Sequence, residues 1–188
     1  MAIKTFAALE YMNATNYNTF CQNNGLRWIS TTSTNFGTGL LTVNAFTTEF
    51  DAYKIIVSGW KSGSGNDSLL MRFRTSGGQY SAANYYWSYN GVVWATNGAI
   101  GNNASPSTNF QITQGPANRN NGATIDVTNV RTSSKPNISW QAVDTVNLCN
   151  RVGGGFINNA ADYVGFDLYS ANGIPMLCDV SVYGYRKA

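Results

Sequence analysis

From Leu26 to the C-terminus the chain runs in short stretches rich in β-branched and aromatic residues, separated by turn signals such as Asn-Gly pairs and serine- or glycine-rich runs. That punctuation constrains the fold more than any other feature. Stretches this short, bounded by turn formers, read as strands. After Leu26 none sustains the i, i+3, i+4 recurrence of a helix. The candidate strands are residues 26–32, 40–46, 53–60, 69–75, 85–89, 92–95, 110–113, 124–130, 138–143, 164–169 and 180–185. Asn-Gly pairs at 90–91, 97–98, 121–122 and 172–173 favour the primed turns of tight hairpins. Many short strands at this spacing predict an all-β fold, an antiparallel, jelly-roll-like β-sandwich.

The clearest pair is 53–60 and 68–75, separated by a serine- and glycine-rich run at 61–67. In the second strand Leu69, Met71 and Phe73 share one face, and Leu70, Arg72 and Arg74 the other. The pair is expected to form an antiparallel hairpin with one wet face, its apolar face covered by other strands because a lone hairpin is marginal in water. Ile125 and Val127 alternate with Thr124, Asp126 and Thr128. Val164, Phe166 and Leu168 alternate with Gly165, Asp167 and Tyr169, which places Asp167 toward solvent.

Residues 1–25 differ from the body formed by 26–188. Asn13 is a candidate N-cap and Gly25 a C-terminal stop. Between them Tyr17, Phe20 and Cys21 make a narrow apolar stripe. A helix this short is unstable alone, so the segment is expected to be an anchoring arm that docks on something larger.

Composition narrows function. Charged residues are 11% of the 188, against about a quarter in ordinary domains, and the polar surface is Asn, Ser, Thr, Gln and Gly. A net charge of +3 without a basic block makes nucleic acid no expected partner. No apolar run reaches the length that spans a bilayer, so no membrane insertion is expected. The start lacks a secretory h-region, which implies synthesis in a cytoplasm without a signal. There is no histidine, the commonest general base and metal ligand. Cys21, Cys149 and Cys178 read as buried small hydrophobes, neither a disulfide framework nor a metal site. No cofactor is expected.

Candidate sites are few. Glu49 and Asp51 lie on one side of an extended segment, and paired carboxylates serve glycosidases; two solvated charges flanking a strand is the stronger reading. Asp162 and Asp167 read the same way. Gly153, Gly154 and Gly155 resemble a phosphate loop only superficially, since no Gly-Lys-Ser/Thr ending follows; a flexible hairpin loop is expected there. Cys149 has no histidine to activate it. The densest aromatic patch holds Tyr85, Tyr86, Trp87, Tyr89 and Trp94. Tyr85, Trp87 and Tyr89 share one face of a strand and Tyr86 the other. Exposed rings of this kind stack on sugars or meet a protein; the alternative is that one face is core and the other an oligomer contact. Arg72 and Arg74 are candidates for pairing with another copy, or are solvated.

Several segments carry a family resemblance. The opening Met1 to Phe6, Glu10, the run Ala14 to Phe20 and the Gly25–Leu26 strand entry resemble the start of tailed-bacteriophage virion proteins of the tail-fibre, minor-tail or structural type. Residues 50–56, 124–129 and 180–187 are similar to further strands of that class, while Asn16 stands where an Asp is usual. The resemblance implies a non-enzymatic virion component with a β-sandwich body. It is expected to be a homo-oligomer, specifically a homotrimer, with residues 1–25 attached to other virion proteins. Three functions compete: a tail-fibre or host-recognition module binding a surface glycan or protein, a capsid decoration protein, and a polysaccharide-degrading enzyme.

Overall fold

The computed structural model describes residues 25–131 and 134–186. The strands are β1 (Leu26–Asn35), β2 (Leu40–Val43), β3 (Phe50–Ser62), β4 (Asn66–Thr75), β5 (Gly78–Gln79), β6 (Tyr85–Val93) and β7 (Ala99–Ser107). They continue with β8 (Phe110–Pro116), β9 (Asn121–Thr128), β10 (Asn137–Asp144), β11 (Cys149–Ile157), β12 (Tyr163–Ser170) and β13 (Met176–Arg186). Among the described residues there is no helix. The expected helical arm falls on residues 1–24, outside the described part.

The strands form an all-β, antiparallel two-sheet sandwich. One sheet has eight strands in the order β1-β13-β3-β9-β10-β11-β6-β7; the other runs β2-β12-β4, with β5 and β8 sharing the far edge of β4. The first and last strands pair directly, Leu26 opposite Tyr185. One apolar core lies between the sheets. Ile55 and Tyr53 on β3, Ile125 and Val127 on β9, and Val180 and Val182 on β13 meet Leu69, Met71 and Phe73 on β4 and Phe166 and Leu168 on β12. Phe110 of β8 bridges the layers, 4.9 Å from the Tyr85 ring and 6.4 Å from Trp140. Tyr85 reaches across as well: its hydroxyl donates to the Tyr80 carbonyl at 2.7 Å and accepts the Phe73 amide at 3.1 Å.

The expected hairpin of β3 and β4 does not form. β3 pairs with β13 and β9, β4 with β12, β5 and β8, and the intervening loop crosses from one sheet to the other. Alternation reports which face of a strand is apolar, not which strand lies beside it. Facing each other across the core, β3 and β4 bury both apolar faces at once. The crossing is held by Gly63, whose amide donates to the Pro175 carbonyl at 2.7 Å. Asp67 adds to this, accepting from the Ser68 amide, Asn172 and the Ser170 hydroxyl.

The three glycines at 153–155 are not in a loop. They lie within β11, paired with β10 on one side and β6 on the other. A Cβ at Gly153 would sit 2.3 Å from the Trp140 ring, and one at Gly155 would sit 2.3 Å from the Tyr86 carbonyl and 3.0 Å from Phe110. These two glycines make room for aromatic rings laid across the strand. Asn90-Gly91 is likewise no turn, because β6 runs straight through it; a side chain at Gly91 would meet the Asn150 carbonyl at 2.1 Å. Asn121-Gly122 opens β9, and β5 and β7 occupy segments where no strand was expected.

Asp167, expected in solvent, is fully buried. It lies between Thr42 on β2 and Arg72 on β4 in the ladder. It accepts from Thr42 at 2.6 Å and from Arg74 Nη1 at 3.0 and 3.1 Å.

Candidate binding face

The aromatic strand expected to make contacts divides by parity. Tyr85, Trp87 and Tyr89 point inward and belong to the core, which removes them as contact residues. Burial raises the Tyr85 phenol above its ordinary range. Tyr89 stacks parallel to Trp87 and lies under the Arg151 guanidinium, 4.2 Å from its ring centre. Arg151 is itself buried, 2.5 Å from the buried Asp144 carboxylate. That carboxylate also accepts the Val146 and Asn147 amides, both at 2.9 Å, closing the β10–β11 turn. Tyr86 points outward and stacks on Phe156, ring centres 5.1 Å apart and 8° from parallel.

Arg72 and Arg74 are both engaged within the chain. Arg72 donates to the Thr108 carbonyl at 2.9 Å and its hydroxyl at 3.2 Å, and covers Tyr169. Arg74 pairs with Asp167. Glu49 pairs with Arg27 at 3.1 Å on the surface, and exposed Asp162 pairs at 3.1 Å with the mostly buried Arg131. Cys149 and Cys178 are buried free thiols. Tyr17, Phe20 and Cys21 lie outside the described residues. Among the described residues no cluster of His, Cys, Asp or Glu could hold a metal, and no helix is long and apolar enough to cross a membrane.

What remains open is the outer face of the eight-stranded sheet. Its register aligns one row across all eight strands: Trp28, Tyr183, Lys54, Asp126, Ser139, Gly154, Ser88 and Asn103. With strands about 4.8 Å apart the row is about 34 Å long. Lys54 pairs with Asp126 at 2.8 Å, and the hydrogen bond between them raises the lysine's pKa. Tyr185 donates to the same carboxylate at 3.0 Å. Trp28, at the open edge, is 59% exposed.

Toward the far end of the strands the face becomes apolar. Ile56, Val143 and Val152 line a shallow hollow of about 380 Å³. Val92 stands next to it, with Asn150 between Val143 and Val92 in the ladder. Trp94, 53% exposed, continues the patch with Leu148, to whose carbonyl its amide donates at 2.9 Å. Of the residues singled out in the sequence, Tyr86 and Trp94 reach this face. Trp28, Phe156, Val152 and the serine row were missed; their only local signal was an outward parity within their strands.

No family model and no curated protein matches the sequence. Among solved structures, a chain in the structure of infectious bursal disease virus Gt strain is similar at 11% identity and a TM-score of 0.14, covering 86% of this chain and 42% of that one. A likeness that slight carries no argument, and this chain spans less than half the length of that neighbour.

Proposed function

We propose that the chain is a non-enzymatic structural protein of a tailed-phage virion, a tail-fibre or host-recognition module that binds through its sandwich and is anchored through residues 1–25. The observation that carries this reading is the bare apolar corner of Trp94, Leu148, Val92, Val143, Val152 and Ile56. A contiguous patch of this kind marks a contact surface. We place the homo-oligomer interface there, a trimer being expected. The virion assignment draws on the resemblance described above.

The non-enzymatic part is supported by how the acids are used. Glu49, Asp126, Asp144, Asp162 and Asp167 are each held by a cation of the same chain. Jelly-roll-like connectivity belongs to the same proposal. Its support is the repeated switching of consecutive strands between sheets, at β1 through β4 and again at β11 through β13.

Purified protein mixed with host cells should sediment with them, and failure to do so sinks the adhesion half. Sedimentation equilibrium should show an oligomer that Trp94→Asp dissolves. Deleting residues 1–25 should abolish incorporation into particles while the sandwich still folds. A copy on every capsid subunit, instead of a few per tail, would favour capsid decoration.

A further inference from the structure

Three consecutive glycines in the middle of a strand are costly, each by about 0.5–1 kcal/mol relative to alanine. Packing explains two of them, Gly153 beneath Trp140 and Gly155 against Tyr86 and Phe110. It does not explain Gly154. That residue faces outward, and the nearest atom to a Cβ there is the Ile138 carbonyl at 3.4 Å, an ordinary contact. The only space a side chain at 154 would take is outside the sheet.

That space is a trough. Gly154 forms its floor, with Ser139 and Ser88 on either side in the ladder. Val152 and Phe156 stand on either side along β11, their Cα atoms about 13 Å apart by strand rise. The stacked Phe156–Tyr86 pair walls a hollow of about 490 Å³ that reaches Asn103. The Ser88, Ser139, Asn103 and Gln141 side chains hold no hydrogen bond to another described residue. The charged groups at one end, Lys54 and Asp126, neutralise each other.

We propose that this trough is a binding groove for a neutral glycan chain. Hydroxyls and amides both donate and accept, which matches sugar hydroxyls that do the same. The exposed ring pair offers apolar surface beside them. A polyanion would find no net positive charge here. An extended peptide laid across the floor would find no backbone to pair with, because the ladder groups of β10, β11 and β6 are used between those strands. The inference rests on the adhesion reading and names its ligand and its site.

The test uses full-length protein on a printed array of neutral and acidic bacterial-surface glycans, followed by calorimetry with the best neutral binder. Gly154→Leu should weaken that binding about tenfold or more, equivalent to about 1.4 kcal/mol, with the melting temperature unchanged. Ser88→Leu, at an exposed position, should act in the same direction and keeps the test valid if Gly154→Leu does not fold. The groove is overturned if no neutral glycan is retained, if only acidic glycans are retained, or if the folded variants bind as wild type does. It is also overturned if Gly154→Leu dissolves the oligomer, since a second copy would then occupy the trough. Host-cell sedimentation run in parallel separates the two readings. Cells that hold the variants as well as wild type leave adhesion standing and remove the groove. A neutral glycan bound through Gly154 by a protein that ignores cells keeps the groove and removes host adhesion.

Discussion

The outer surfaces of the two sheets follow the same alternating pattern and end in opposite conditions. On the five-stranded sheet the polar side chains are committed to one another: Arg74 and Thr42 to Asp167, Arg72 to Thr108 and Tyr169. On the eight-stranded sheet Lys54, Asp126 and Tyr185 close one network, and at the β1 edge Trp28, Thr31 and Ser181, with Ser33 and Asp179, bond to one another. Ser88, Ser139, Gln141 and Asn103 are left uncommitted among the described residues, between β10 and the β7 edge. A buried carboxylate cannot go unpaired, so Asp167 forces its neighbours into fixed roles. Exposed hydroxyls carry no such obligation and remain available to a ligand.

The largest expected effect tests the committed side. Asp167→Ala should cost about 3 kcal/mol, read from urea unfolding, because Arg74 loses its partner while mostly buried; a loss under about 1 kcal/mol would show the network to be dispensable. Next comes the inner face of the other sheet. Gly155→Ala should lose about 2 kcal/mol by overpacking against the Tyr86 carbonyl and Phe110, and a neutral result would mean the strand can shift there.

Alkaline titration comes third. Burial pushes the Cys178 thiol up to about 12 from an ordinary 9.0. Its contribution is intact below the unfolded pKa and is lost as pH rises toward the folded one. Unfolding free energy should therefore fall by about 1 kcal/mol from pH 9 to 10 on account of this group. Cys178→Ala should flatten that portion of the slope. The smallest effect belongs to the open face. Gly154→Ala should be neutral or stabilising by about 0.5 kcal/mol, the reverse of Gly155→Ala one residue away.

Much of the core was legible because strand parity is local information. Leu69, Met71, Phe73, Ile125 and Val127 all point where their alternation placed them. Pairing was not legible, and β3 and β4 show why: two adjacent apolar strands satisfy the same pattern whether they lie side by side or face to face. Glycine was the second source of error. Gly153, Gly155 and Gly91 sit where another strand or ring presses on the backbone, a cause lying far away in sequence, yet glycine's local signal is a turn. Asp167 was misplaced for a related reason, since its cation, Arg74, is 93 residues away. β7 was missed because an edge strand of small polar residues has no apolar stripe to announce it. On the candidate face, Tyr86 and Trp94 stood out as aromatics, whereas the row through Gly154 exists only once the register is known.

The pairing of Leu26 with Tyr185 brings the first and last strands together at one end of the sheet, while Trp94 and Leu148 lie at the other. Chain continuing from the start of β1 and chain continuing from the end of β13 therefore leave the body side by side. A tether joined there would leave the end that carries Trp94 and Leu148 on the far side of the body from its point of attachment.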